Sequence, residues 1–105
     1  MGAECGVYIL YSQTADRYYV GQTSGLQERV RWHLAGSTQV TKSATDWMLV
    51  LFEPTVTLLQ ALALERQIKK MKSRKSISRY IKDKRNLARE PIPLVDIASG
   101  RSAAW

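Results

Sequence analysis

Apolar residues fall in short runs along this chain, and their period changes from one stretch to the next. Val7-Tyr8-Ile9-Leu10-Tyr11 is rich in β-formers and too short for a helix, so it predicts a strand. The polar residues 12–17 read as a connection, and Tyr18-Tyr19-Val20-Gly21 as a second strand completing an antiparallel hairpin. Side chains alternate between the faces of a strand. Tyr8 and Tyr19 therefore share a face only if the numbers of paired residues sum to an odd value. A sum near 29 sets Tyr8 beside Gly21 and Leu10 beside Tyr19, with the turn around Thr14-Ala15. An even sum would separate the tyrosines.

Helical periods follow. Ser24 and Gln27 form a capping-box pattern that predicts a helix to about Ala35, stopping at Gly36. Leu26, Val30 and Leu34 make its apolar stripe, and Arg29 and His33 stack on one flank of that stripe, half-buried beside the core. Residues 36–46 are Ser/Thr-rich and read as an exposed loop carrying Lys42. The run Trp47-Met48-Leu49-Val50-Leu51-Phe52 predicts a strand reaching towards Thr55 or Val56, with Pro54 needing an edge or a bulge. Thr57 and Gln60 form a second capping box, opening a helix to about Lys72. Ser76 is expected to cap a third helix to about Leu87, with Ile77, Tyr80, Ile81 and Leu87 inward. The order predicts an α+β fold: a small three-stranded antiparallel sheet flanked by about three helices. Residues 1–88 form the expected domain. Residues 89–105, with Pro91 and Pro93, form a partly ordered or disordered tail in which Leu94, Val95 and Ile97 dock as a short extended piece.

Composition narrows the chemistry. The chain has 105 residues, 45% of them hydrophobic, enough for one modest core. No run of about 18 apolar residues predicts a membrane span, and no secretory signal is visible. A single cysteine, Cys5, forms no internal disulfide and fits a reducing, cytoplasmic setting. Sixteen Lys and Arg against nine Asp and Glu give a net charge of +7, and eleven of those cations fall in the stretch from Arg66 to Arg89. The natural partner of such a field is a polyanion. The motifs of zinc proteases, serine hydrolases and phosphate-binding loops are absent, so no nucleotide cofactor is expected. His33 has too few His and Cys companions for a zinc site.

One carboxylate stands out. On a helical wheel Leu58, Ala61, Leu62 and Ile68 define an apolar arc, and Glu65 falls inside it. A carboxylate there needs a positive partner. That partner is either a cation such as Arg29 or a neighbouring lysine, in a structural ion pair, or a metal ion.

These residues together resemble the GIY-YIG endonuclease superfamily. The two signatures read Gly6-Val7-Tyr8 and Tyr19-Val20-Gly21; residues 22–33 resemble the family's helix with its arginine and, four residues on, histidine. Residues 61–69 resemble the segment bearing its metal-binding glutamate. The resemblance spans roughly residues 5 to 85 and is to small stand-alone bacterial members, relatives of the nuclease half of an excision-repair enzyme. It implies hydrolysis of a phosphodiester with one Mg²⁺ or Mn²⁺, in a DNA-repair setting. Tyr8 would act as general base or on the attacking water, and Tyr19 would hydrogen-bond that water or the phosphate. Arg29 would offset developing charge, His33 would orient or exchange protons, and Glu65 would hold the metal. DNA is the implied partner, with RNA an open alternative. Lys42, Lys69, Lys70, Lys72, Arg74 and Lys75 are the expected nucleic-acid contacts. Tyr11, Tyr18 and Tyr80 read as ordinary structural tyrosines. The chain departs from the family at Gln22, where several members carry lysine, and its single asparagine, Asn86, lies late for the asparagine that family nucleases often use. A nucleic-acid-binding module with little turnover is the alternative reading. A basic interaction protein is a third.

Overall fold

The computed structural model describes residues 5–35, 42, 44–71, 73–84 and 91–98. Strands β1 (Gly6–Ser12) and β2 (Arg17–Thr23) form the hairpin, followed by helix α1 (Leu26–Leu34) and strand β3 (Met48–Pro54). Then come α2 (Leu58–Lys69), α3 (Arg74–Lys84), the two-residue strand β4 (Ile92–Pro93) and α4 (Leu94–Ala98). The class is α+β, with an antiparallel sheet ordered β2-β1-β3-β4. A fourth strand and the helix α4 thus add to the expected three strands and three helices.

The hairpin register has the odd sum. Tyr8 pairs with Gly21 and Leu10 with Tyr19, around a turn at residues 13–16. Asp16 closes that turn at φ 54°, a left-handed conformation that a short polar side chain tolerates. Asp46 ties the turn to the approach of β3. It accepts hydrogen bonds from Ser12 Oγ at 2.5 Å, Thr14 N at 3.0 Å and Thr14 Oγ1 at 3.0 Å.

Between β1 and β3 the register slips. Ile9 faces Leu51 but Leu10 faces Leu49, so Val50 is an extra residue. A bulge of this kind resets the alternation by one. Its effect is to put both Leu49 and Phe52, three residues apart, into one core cluster with Tyr8, Leu10, Val30, Trp47, Leu94 and Ile97. The second cluster lies on the opposite face: Val7, Ile9, Val20, Leu51, Ala61, Ile68 and Ile81, under α2 and α3. Pro54 sits at the end of β3, beyond the reach of β4, where no ladder donor is missed.

Local rules set the helix ends, though not always through the expected residue. Thr57 caps α2 by accepting from Gln60 N at 3.1 Å, and Gln60 Oε1 accepts in return from Val56 N at 3.0 Å. At α1 the cap is Gly25, with no side-chain capping bond from Ser24; Thr23 Oγ1 instead bonds both N–H and carbonyl of Gly25. At α3 it is Ser73, not Ser76, whose Oγ accepts from the Ser76 backbone at 3.0 Å, so the helix begins two residues before Ser76. Leu34 is exposed, ending the α1 stripe early, and Leu87 and Asn86 lie outside the described residues.

Residues 94–98 form a helix rather than an extended piece. Pro93 ends β4 immediately before α4, a place where proline's missing N–H costs nothing. Leu94 and Ile97 are buried and Val95 is exposed. Arg31 Nε and Nη2 and Gln27 Nε2 all donate to the Ala98 carbonyl, satisfying an orphan acceptor at the helix C-terminus.

Candidate active site

The hairpin and α1 bring four predicted site residues together. Tyr8 and Tyr19 project from adjacent strands towards α1, with ring centroids 6.3 Å apart. From α1 the buried His33 ring reaches both, at 5.5 Å from Tyr8 and 4.8 Å from Tyr19. The Tyr8 hydroxyl and His33 Nε2 are 2.7 Å apart, in a buried hydrogen bond. Arg29, one turn earlier, lies close enough for its charge to act on both Tyr8 and His33.

Two glycines make this arrangement possible. A Cβ on Gly21 would stand 2.5 Å from Tyr8 Cζ, inside the ring's own volume. The backbone of β2 is therefore the cradle of the Tyr8 ring, which gives the final glycine of Tyr19-Val20-Gly21 a steric reason. A Cβ on Gly6 would meet Phe52 Cζ at 2.6 Å and the Glu53 carbonyl at 2.7 Å. The first glycine thus lets β1 and β3 close.

Burial dominates the electrostatics. Desolvation pushes the Tyr8 hydroxyl above its usual pKa of 10; Tyr19 adds to the effect, Arg29 opposes it and Glu65 reinforces it. The Arg29 charge favours the ionised tyrosine, but burial outweighs it. Desolvation, aided by Arg29, pulls His33 down to about 4, so the imidazole is neutral at pH 7. Its Nδ1 is buried and bonds no protein group among the described residues.

Trp32 is a site residue that the pattern reading passed over. The Arg29 guanidinium carbon lies 4.7 Å from its ring centroid, and Trp32 stands edge-on to His33 at 4.8 Å. Its position three residues after Arg29 and next to His33 was the available signal. Arg29 and Trp32 also line an open pocket with Thr23, Ser24, Gly25 and Glu28 at the start of α1. Tyr8 and His33 are each only 2% exposed, whereas Tyr19 and Arg29 are half-buried. A substrate therefore meets Tyr19 and Arg29 first.

Glu65 comes from α2, on the far side of the sheet from α1. It is near enough to oppose ionisation of Tyr8. Its side chain is 14% exposed and pairs with Lys69 Nζ at 3.1 Å, one turn on. Of the side-chain partners foreseen for it, this is the neighbouring lysine; the other cation named, Arg29, is the one stacked over Trp32. The lysine end of this i, i+4 pair is exposed to water and the carboxylate end is largely enclosed. No group of three or more His, Cys, Asp or Glu gathers as a metal cluster among the described residues. A lone carboxylate fits a hard, hydrated ion that completes its shell with waters and phosphate oxygens.

The predicted nucleic-acid contacts are dispersed. Lys42, Lys70 and Lys75 are exposed, Lys69 is paired with Glu65, and Arg74 is paired with Asp16. Lys72 lies outside the described residues. No described helix is long and apolar enough to cross a membrane. The comparison with curated proteins returned no match, and neither did the comparison with solved structures. The family model of the GIY-YIG catalytic domain matches residues 4–86, which takes in the tyrosines, Arg29, His33 and Glu65. The chain therefore belongs to the GIY-YIG family, nucleases that act on nucleic acid and generally depend on a divalent metal ion.

Proposed function

We propose that the protein is an endonuclease hydrolysing phosphodiester bonds in DNA, directed by backbone and structure more than by sequence. The observation that carries this reading is the buried 2.7 Å contact between Tyr8 and a neutral His33, set beside Tyr19 and Arg29.

The geometry supports a relay rather than a phenolate. A tyrosine with a raised pKa is a poor stored base at pH 7. Neutral His33 Nε2 can accept the Tyr8 proton as Tyr8 takes one from the attacking water, so no full phenolate need form. Negative charge growing on the phosphoryl oxygens beside Arg29 favours protonated imidazole at that moment. Arg29, held by Trp32, offsets the same charge, and Tyr19 hydrogen-bonds the water or a phosphate oxygen. Glu65 is the residue that would hold Mg²⁺ or Mn²⁺. When bound, the ion supplies charge neutralisation at the phosphate and a template for water.

One test is cleavage of branched, nicked and plain DNA by wild type and Glu65→Ala, with Mg²⁺, with Mn²⁺ and with chelator. Cleavage is expected only from wild type with metal, while both proteins retain DNA. Cutting by Glu65→Ala at the wild-type rate would remove Glu65 as the ligand.

The raised Tyr8 pKa and the Glu65–Lys69 pair favour a second reading, a nucleic-acid-binding module with little turnover. Gln22, in place of the lysine of several relatives, points the same way. DNA retention without cutting of any of the three substrates is its signature.

A further inference from the structure

On the sheet face opposite the tyrosine cluster, where the hairpin meets α3, the described residues form an open groove with different chemistry. Tyr11 and Tyr18 are cross-strand partners with ring centroids 4.8 Å apart. Arg74, Lys75, Arg79 and Lys82 of α3 line the groove with them. Lys75, Arg79 and Lys82 are spaced i, i+4, i+7 and so form one stripe along the helix.

The groove's carboxylate is already engaged. Asp16 Oδ1 accepts from the Tyr11 hydroxyl at 2.8 Å, and Asp16 Oδ2 pairs with Arg74. This holds the hairpin turn against the start of α3. Lys75, Arg79 and Lys82 are exposed and have no acidic partner among the described residues. The groove therefore presents an uncompensated positive stripe beside a half-buried aromatic ring, Tyr18.

A positive stripe alone would suit any polyanion. The adjoining aromatic ring narrows the choice, because a base can lie on it only when that base is not stacked inside a duplex. We propose that this groove is a second nucleic-acid site, one that takes an unpaired single strand. Lys75, Arg79 and Lys82 follow its phosphates and Tyr18 stacks against a base. With Tyr8, Tyr19, Arg29 and His33 on the other face, the domain holds an unpaired segment apart from the strand that meets those residues. The inference rests on the nucleic-acid reading of this chain but not on its ability to cut.

The test is fluorescence anisotropy of the full chain with a labelled oligothymidine and with a blunt duplex of equal length, in chelator, across a salt series. Reversing Lys75, Arg79 and Lys82 to Glu is expected to reduce the log–log salt slope for oligothymidine by about 2, at about 0.7 for each phosphate no longer neutralised. Tyr18→Leu, which keeps an apolar side chain on the sheet, should weaken oligothymidine binding roughly tenfold and duplex binding hardly at all. Tyr18→Phe should restore it. Thermal melts check that each variant is folded, and the charge reversals, all at exposed positions, stand if Tyr18→Leu unfolds. An unchanged slope in the charge variant, or equal losses on both probes with Tyr18→Leu, overturns the site. Failure of wild type to bind either probe overturns the nucleic-acid reading as well. Binding without cleavage by wild type, with these shifts intact, removes only the nuclease reading.

Discussion

On the α1 face of the sheet, Tyr8 and Tyr19 converge on a buried histidine, and the Tyr8 hydroxyl and His33 Nε2 meet inside a core cluster. On the α3 face, Tyr11 and Tyr18 stand at the rim, tied to an exposed Asp16–Arg74 pair, while the core beneath is apolar. The same strands and the same residue type supply both. The difference lies in what the helix above contributes. From α1 come His33, enclosed, and Arg29, half-buried; from α3 come cations exposed to water. Burial joins Tyr8 and His33 of the first set in one hydrogen bond sheltered from water. The second set stays a field of separate charges, suited to holding a polyanion and poorly suited to chemistry.

The sharpest way to break that contrast is to delete a hydroxyl. Tyr8→Phe keeps the ring in its Gly21 cradle but severs the bond to His33 Nε2; cleavage should fall about 10²- to 10⁴-fold, with binding retained. A single-turnover assay on the substrate cut by wild type measures it. Tyr80, which donates to Glu53 under α3, supplies the counterpart: Tyr80→Phe should lower stability by about 1 kcal/mol in urea denaturation and leave the cleavage rate within a few-fold.

Filling the cradle comes next. Gly21→Ala forces a methyl into the Tyr8 ring and should destabilise the fold by about 1–3 kcal/mol while displacing the hydroxyl from His33. An unchanged melting temperature would show that the cradle has slack.

Acid should reach the two faces at different pH. His33 ionises near 4 when folded and near 6.5 when unfolded, so between these values the unfolded chain binds more protons. Stability should therefore decline as pH falls from about 6.5 towards 4, by up to about 3 kcal/mol, and His33→Gln should flatten that slope. On the α3 side Asp16, held below the usual carboxylate range by Arg74 and Tyr11, loses its contribution only at lower pH; Asp46, held low by Ser12 and Thr14 at the hairpin turn, does likewise. The smallest effect belongs to Trp32→Leu, which removes a cation–π contact of about 0.5–1 kcal/mol at a partly exposed site. It should raise KM more than it lowers kcat.

Much of the first face was legible in the sequence. Strand alternation turned two tyrosines into a register condition, and the odd register satisfied it. The i, i+4 spacing placed Arg29 and His33 on one flank. What pattern could not convey was burial depth. His33 was expected half-buried, yet its full enclosure is what makes it neutral, just as the burial of Tyr8 is what raises that hydroxyl's pKa. Nor could it convey long-range pairing. The strand β4 joins the sheet from far along the chain, through only two residues of its own, and two prolines masked the helix behind it. The serine caps misled for a similar reason: Ser24 and Ser76 had the right spacing, but Thr23 and Ser73 made the local bonds.

The small helix α4 has a consequence for what counts as the catalytic unit. Family similarity ends at residue 86, yet Leu94 and Ile97 share a core with Tyr8, and Arg31 and Gln27 of α1 are fastened to Ala98. The histidine helix is thus steadied from behind by a segment that no signature motif includes. A chain shortened to the recognisable motif would keep every residue of the proposed site and lose the wall behind them.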